Sequence, residues 1–338
     1  MLVVGVLVLV VLAAVEPRAR PTEGRKTVEP SARSTDGRET EHLPFDLPSA
    51  QALRDTDKLV LAHYFPPLPV SLDNEEPDED YYAQEYLDPE GEGGKHEDYG
   101  GYLRDRPLPR DPIDDEDWRR LDMRTEVRQA IAGGLDGFTV NIIQLEDGSD
   151  PRLWRNTVAL MEAAHDVDPD FAVVLMPDMS GSLAEQDVEA VAAGMARLAA
   201  EPSAHRLPDG RLLVAPFKAE AHTVDWWQSF LDEMEDEHDL PVALLPTFVD
   251  DERDLVDDYA EISYGLSVWG ARNPDANDPD RRDARSGRRR AERVHDLDVA
   301  WMQPVSVQDQ RPGQGVYEEA ENTRNLRATW RLARETGA

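Results

Sequence analysis

The chain has 338 residues and no cysteine, which excludes disulfides, thiolate metal sites and a cysteine nucleophile. Its formal net charge of −34 argues against nucleic acid as a partner, because phosphate binding needs a basic surface. The length is sufficient for one large hydrophobic core and lies in the usual range of a single (β/α)8 barrel.

The N-terminal segment, residues 2–15, is an unbroken apolar run. It is shorter than the roughly 20 residues that span a bilayer, but it is typical of a signal peptide, with Ala13 and Ala14 as small residues near a cleavage site. An uncleaved membrane anchor is the alternative. Residues 16–50 are rich in Pro, Arg, Glu, Ser and Thr without apolar periodicity, which predicts a disordered linker. We therefore expect a secreted, extracellular protein with no membrane span after cleavage, divided into a signal segment at 1–15, a linker at 16–50 and one domain at 51–338.

Short apolar runs alternate with amphipathic segments from residue 58 onward, which predicts βα units around a parallel sheet. Several runs are apolar on both faces at their starts, as strands covered on both sides are. The seven predicted strands lie at 59–65, 137–143, 172–180, 211–220, 241–251, 262–270 and 299–308. Predicted helices lie at 123–134, 152–166, 185–200, 223–237 and 318–336, and Gly337 is the predicted C-terminal cap of the last one.

The ends of the predicted strands decide between a barrel and an open sheet. Each run becomes polar or aromatic at its C-terminal end, as in HYF, PDMS, FKAE and VWG. In a barrel all these ends converge on one face, whereas an open doubly wound sheet collects them only at a switch point. The pattern favours an α/β fold of the (β/α)8 TIM-barrel type with seven βα units present and the eighth missing. The strand at 59–65 is then expected to lack one neighbour.

Two carboxylates follow neighbouring predicted strands, Asp178 after the third and Glu220 after the fourth. Neighbouring strands lie about 4.8 Å apart, so these side chains are expected to face each other across the barrel mouth. Hydrolysis of a glycosidic bond needs such a pair, one group as acid and the other as base or nucleophile. The alternative is that each only forms hydrogen bonds to sugar hydroxyls or to neighbouring strands.

Two further charged residues lie near these strands. Lys218 precedes Glu220 by two residues and is expected on the same side of the strand, where it holds Glu220 ionised, binds substrate or forms a structural ion pair. Asp136 precedes the second strand, at the barrel end that usually serves stability. We expect a turn or cap role for Asp136.

Aromatic residues crowd the strand ends and the segment after the first predicted strand. Sugar rings stack their apolar faces on such side chains, while carboxylates and amides bind the hydroxyl groups. Residues 66–121 form a long connection, and long connections are usually functional or disordered, so we expect a lid or cleft wall over the site. The aromatic residues are Tyr64, Phe65, Trp269 and Trp301 near strand ends and Tyr81, Tyr82, Tyr86, Tyr99 and Tyr102 in the connection.

Metal and cofactor motifs are missing from the sequence. The acidic stretch at 73–80 lacks the spacing and the glycine of an EF-hand, and His63, His165 and His222 have no ligand spacing. The segment GEGGKH has no Ser or Thr after its lysine and therefore does not match a phosphate loop. We predict neither a metal nor a cofactor.

The strand-end motifs AHYFPPLPVSLDN, GLDGFTVNI, VVLMPDMS, VAPFKAE, ISYGLSVWG and WMQPVSVQ, in this order, resemble the bacterial branch of glycoside hydrolase family 71. This family is known as the endo-α-1,3-glucanases or mutanases, and the likeness covers roughly residues 58–338. The resemblance implies a secreted barrel that cleaves α-1,3-glucan by an inverting mechanism without a cofactor. It places His63, Asp178, Glu220, Trp269 and Gln303 in the substrate cleft.

One departure from the family concerns catalysis. The presumed acid and base of the family lie in an Asn-Asp-Tyr-x-Glu motif on strand eight, and this sequence has no such motif, so no catalytic pair is carried over. We interpret the gap as a truncation before strand eight, and we expect this fragment to lack the catalytic pair of the family and to be inactive. Asp178 and Glu220 remain the catalytic candidates, and a non-catalytic glucan-binding barrel is the alternative function. The expected partner is an α-glucan bound by a monomer, and the candidate substrate-binding residues are His63, Tyr64, Asn141, Lys218, Trp269 and Gln303.

Overall fold

The computed structural model describes most of the predicted domain and a short N-terminal segment. The described residues are 8–13, 48–249, 253–271, 277–278, 280, 287–307, 309–311, 316–318 and 321–338. The predicted linker at 16–50 lies outside these ranges up to residue 47.

One sheet of nine strands forms the centre of the molecule. Its strands are β1 (Val8–Ala13), β2 (Lys58–Tyr64), β3 (Gly137–Ile142), β4 (Ala172–Pro177), β5 (Leu212–Val214), β6 (Val242–Leu244), β7 (Thr247–Phe248), β8 (Gly265–Val268) and β9 (Ala300–Ser306). The run β2 to β6 is parallel, and so is the run β7 to β9. A separate hairpin pairs β10 (Asp309–Arg311) with β11 (Val316–Glu318).

The nine strands occupy eight positions around a closed barrel. Strands β6 and β7 are consecutive parts of one extended segment, which is interrupted at Leu245 and Pro246. β6 pairs with β5, and Thr247 of β7 bridges to Phe217, which follows β5 in the chain. Both β6 and β7 therefore lie beside the same segment of the chain. The (β/α) barrel that the sequence predicts is therefore confirmed, with seven strands that are each followed by a helix.

The eighth position is occupied by the apolar N-terminal segment. Strand β1 lies between β2 and β9 and is antiparallel to both, with Val10 opposite Leu61 on one side and Pro304 on the other. The expectation that the strand at 59–65 lacks a neighbour is therefore wrong. The physical reason is that a bare pair of strand edges beside an apolar core is a template for any extended apolar segment of the chain.

The helices pack around the sheet, and five of those in the described ranges lie at the predicted segments 123–134, 152–166, 185–200, 223–237 and 318–336. The short α1 (Ala50–Arg54) and the kinked turn α2 (Gly91–Gly94) precede the main series. That series is α3 (Trp118–Ala132), α4 (Pro151–Val167), α5 (Val188–Leu198), α6 (Val224–Asp236), α7 (Arg253–Ala260), α8 (Gly287–Asp296) and α9 (Arg324–Thr336).

Helix ends follow ordinary capping chemistry. Asp150 and Asp187 accept hydrogen bonds from backbone N–H groups in the first turns of α4 and α5, and Thr223 does so for α6. Gly337 ends α9 in the left-handed region with φ of 78°, which confirms its predicted role. None of the helices in the described ranges has the length and apolar character needed to cross a membrane.

Two apolar clusters show which side chains face the barrel interior. The outer cluster combines helix residues with Val140, Leu175 and Val214, so these strand positions face the helices. The inner cluster takes the alternate positions, such as Leu61, Val174 and Leu213, and contains no residue of the main helix series. Alternation along a strand thus assigns each side chain to one of the two layers.

A buried carboxylate ties the N-terminal end of the barrel together. Asp136 Oδ2 accepts a hydrogen bond of 2.8 Å from the Val60 backbone, and its other oxygen lies 3.7 Å from Arg54 Nε. Arg54 also pairs with Asp168 at 2.9 Å. Asp136 therefore has a structural role at this end of the barrel, as a link between β2 and Arg54 and not as the turn or cap residue that the sequence predicts.

Candidate functional site

The C-terminal ends of the strands bring polar and aromatic side chains together inside the barrel. Paired residues on neighbouring parallel strands point to the same side, so the register traces the inner face: His63 pairs with Thr139, and Thr247 pairs with Ser267. Asp178 and Thr247 each bridge to Phe217. We call this set the mouth cluster, and it consists of His63, Thr139, Asn141, Asp178, Phe217, Thr247 and Trp269.

Trp269 connects opposite sides of the mouth cluster. Its ring lies 4.7 Å from the His63 ring in an edge-to-face contact, although β8 and β2 are separated by two strands. On another side the same indole meets Phe217 at 5.0 Å, again edge to face. The three rings form a floor of fixed aromatic geometry beneath the strand ends.

His63 is a neutral ring in this setting. Part of its surface is reachable by solvent, but the ring is surrounded by protein, and this burial lowers its pKa to about 3. Its Nδ1 lies 3.5 Å from Thr139 Oγ1. A neutral imidazole offers one hydrogen-bond donor and one acceptor, which suits a hydroxyl group better than an anion.

Three buried polar atoms of the mouth cluster have no hydrogen-bond partner within the part of the chain that the structure describes. They are Asn141 Oδ1, Thr247 Oγ1 and Trp269 Nε1. Asn141 and Thr247 are 3% and 2% exposed, so bulk water does not satisfy them. A buried unsatisfied group costs about 1–3 kcal/mol, which makes a cluster of three a mark of a ligand site.

The two candidate carboxylates lie at this same end of the barrel. Asp178 is 8% exposed and directly follows β4, where its Oδ1 accepts a hydrogen bond of 2.8 Å from the Ser180 backbone. Glu220 lies in a turn after β5, and its Oε1 accepts a hydrogen bond of 2.8 Å from the Val249 backbone. Each carboxylate thus has one oxygen fixed by the backbone.

Three predicted site residues are placed differently. Tyr64 lies on the helix-facing side of β2, where its hydroxyl contacts Met123 Sδ at 3.3 Å, so its predicted contact with substrate is wrong. Gln303 accepts a hydrogen bond of 2.9 Å from Trp301 and shares the outer face of β9 with it, so it does not line the cleft. Lys218 has a left-handed backbone with φ of 53°, and β5 ends before it, so strand alternation does not relate it to Glu220.

Sequence reasoning missed Thr139, Phe217 and Thr247. Thr139 could have been predicted, because it lies two residues before Asn141 on the same strand and therefore faces the same side. It also pairs with His63 on the neighbouring strand. Thr247 could not have been predicted, because the break at Pro246 interrupts the alternation on which such a prediction depends.

The long connection after β2 begins at the end of the barrel that carries the mouth cluster. Asn156 and Arg152 of α4 donate to the carbonyl groups of Pro66 and Pro67 at 3.0 and 3.1 Å, and Glu126 of α3 accepts from Val70. These bonds anchor the start of the connection to α3 and α4, and its predicted role as a lid or cleft wall stays a prediction.

The comparisons with known proteins give information about the fold of the chain. No family model and no curated protein matches the chain. The solved GH99 endo-α-mannosidase from Bacteroides thetaiotaomicron, in complex with BIS-TRIS propane, has a TM-score of 0.50 at 12% identity, over 65% of this chain and 68% of that one. A second structure of this enzyme gives 0.49 at 11% identity, over 65% and 64%. Both structures are of a GH99 endo-α-mannosidase, and at such identities the likeness shows the fold alone.

Proposed function

We propose that the chain is a secreted glycoside hydrolase that acts as a monomer on an α-glucan, and on α-1,3-glucan in particular. The observation that carries the proposal is the mouth cluster, in which unsatisfied buried groups surround an aromatic floor. A sugar ring presents apolar C–H faces and hydroxyl groups that both donate and accept. Asn141 Oδ1, Trp269 Nε1 and Thr247 Oγ1 offer an acceptor, a donor and a hydroxyl to such a ligand.

The proposed reaction adds water across the glycosidic bond with two carboxyl groups. One protonated carboxyl donates its proton to the leaving oxygen, while the other takes a proton from the water that attacks the anomeric carbon. Asp178 and Glu220 are the candidates, and we leave their order open. The family resemblance supports inversion and the α-1,3 linkage.

The test separates hydrolysis from binding. Asp178→Asn and Glu220→Gln are assayed by reducing-sugar release from insoluble α-1,3-glucan, with Glu185→Gln as an exposed carboxylate control after the same strand as Asp178. Loss of one acid or base typically costs about 10²–10⁴-fold in rate, whereas the control should retain full activity. Full activity of both site variants would exclude these two residues from the chemistry.

A second candidate function is supported by the backbone bonds to both carboxylates, which suit structural groups as well as catalytic ones. In that case the wild-type chain binds α-1,3-glucan without releasing sugar. Asn141→Ala should then weaken binding by about 2–10-fold, as expected for one hydrogen bond of about 0.5–1.5 kcal/mol.

A further inference from the structure

The connection between β2 and α3, residues 66–117, folds as a unit with its own anchors. Tyr82 is fully buried, and its hydroxyl donates to the Pro69 carbonyl at 2.6 Å. The Arg106 guanidinium lies 4.7 Å above the Tyr82 ring and pairs with the buried Asp80. We call this unit the tyrosine insertion, and these contacts make it rigid.

Tyrosine rings surround Tyr86 on three sides. Tyr81 meets Tyr86 edge to face at 5.0 Å, Tyr102 lies 4.7 Å away at a tilt, and the buried Tyr82 lies at 5.8 Å. Tyr81 is 37% exposed, and Tyr86 and Tyr102 are partly exposed. The rings are thus held by one another and still reach the surface.

A carboxylate lies at the edge of these rings. Glu92 accepts hydrogen bonds from the Tyr81 hydroxyl at 3.2 Å and from His96 Nε2 at 2.8 Å. The other nitrogen of His96 accepts from the Tyr99 hydroxyl at 2.7 Å, which fixes the ring. Glu92 has a left-handed backbone with φ of 49°, a strained conformation that the surrounding contacts maintain.

The tyrosine insertion and the mouth cluster lie at the same end of the barrel. Helices α3 and α4 both begin at the C-terminal end of the strands, and the insertion is bonded to α4 through Asn156 and Arg152. The insertion therefore lies at the end of the barrel from which a polymer would leave the mouth.

From these observations we infer that the tyrosine insertion is a second carbohydrate-binding site, which holds an extended glucan chain through the Tyr81 ring and the Glu92 carboxylate. Rigid aromatic rings lose little conformational entropy on binding, and a fixed carboxylate binds hydroxyl pairs. In its choice of a glucan as the ligand class, this inference rests on the proposed function.

The experiment measures retention on insoluble α-1,3-glucan by the full chain in a pelleting assay. Tyr81→Ala should weaken retention by about 2–10-fold, as expected for one stacking contact. Leu108→Ala, at an 82% exposed position of the same insertion, is the matched control and should retain wild-type binding. Tyr81→Phe keeps the ring and should bind within about twofold of wild type, and an unchanged midpoint of thermal unfolding verifies the fold of each variant.

A second readout separates this inference from the proposed function. Hydrolysis of a short soluble α-1,3-glucan oligosaccharide depends on the mouth cluster and should be unaffected by Tyr81→Ala. Equal retention of Tyr81→Ala and Leu108→Ala would overturn the second site. So would a Tyr81→Phe variant that loses as much retention as Tyr81→Ala does. A wild-type chain that is not retained at all would also overturn it. Failure of the wild type to release sugar would refute the hydrolase while the retention comparison still decides the inference.

Discussion

The carboxyl group of Glu126 makes the stability of the fold depend on pH. Glu126 belongs to α3, and its Oε1 accepts a hydrogen bond of 2.9 Å from the Val70 backbone. Burial raises the pKa of Glu126 to about 7, and nearby Asp122 adds to the rise, while hydrogen bonds from Val70 and Tyr64 oppose it. The group is therefore largely protonated in the folded protein at pH 6 and ionised in the unfolded chain.

The sign and the size of the effect follow from this difference. Below pH 4.5 both states hold the proton, and the group contributes no pH dependence. Between pH 4.5 and about 7 the unfolded state releases its proton first, so the free energy of unfolding falls as the pH rises. The pKa of Glu126 is raised by about 2.5, and each pKa unit corresponds to about 1.4 kcal/mol. The resulting loss in the free energy of unfolding is therefore at most about 3 kcal/mol, and it is complete above pH 7.

Glu126→Gln tests this reasoning because the amide keeps an acceptor for Val70 and cannot ionise. We expect urea unfolding at a series of pH values from 4.5 to 8 to show the variant more stable than the wild type at pH 8, with the two converging near pH 4.5. Glu235→Gln, at an exposed position of α6, is the control and should follow the wild-type curve. A constant difference between Glu126→Gln and wild type across the series would refute the argument.

Three other outcomes are expected. Val10→Pro removes a backbone donor from β1, between β2 and β9, and should lower the free energy of unfolding of the unprocessed chain by about 1–3 kcal/mol in urea titrations, whereas Thr27→Pro in the predicted linker should have no effect. Asp136→Ala should cost about 2–4 kcal/mol in the same titrations, because it removes the acceptor of Val60 and the partner of Arg54; a change under about 0.5 kcal/mol would contradict that role. Expression in a secreting host should yield a chain cleaved near Ala14, and N-terminal sequencing that finds Met1 would contradict the signal peptide.

The fold was predictable where apolar runs were long and continuous. Strands β3, β4 and β9 match their predicted segments closely, since each is buried along its whole length. Helix α8 was not among the predicted helices, because its sequence GRRRAERVHD offers few apolar residues, of which Ala291 and Val294 are buried. The place of β1 in the barrel depends on a contact between residues far apart in the chain, which local periodicity does not contain.

The residues of the site could be predicted only where the alternation of side chains between the two faces of a strand was taken into account. His63 and Trp269 lie in the mouth cluster, while Tyr64, adjacent to His63, points to the helices. Gln303 is likewise adjacent to Met302, an inner residue. Since neighbouring residues on a strand face opposite sides, no adjacent pair can line the same cleft, and the period of two by itself separates Tyr64 from His63.

The predicted signal peptide and the strand β1 exclude each other in one molecule, since cleavage near Ala14 would remove β1 from between β2 and β9. The catalytic question does not depend on whether this cleavage takes place. The six residues of β1 read VLVVLA and include no ionisable group, so the eighth barrel position supplies neither an acid nor a base. The proposed hydrolysis therefore relies on carboxylates outside β1, and Asp178 and Glu220 are the candidates at the C-terminal ends of the strands. Activity assays of Asp178→Asn and Glu220→Gln therefore address the chemistry of the processed and the unprocessed chain alike.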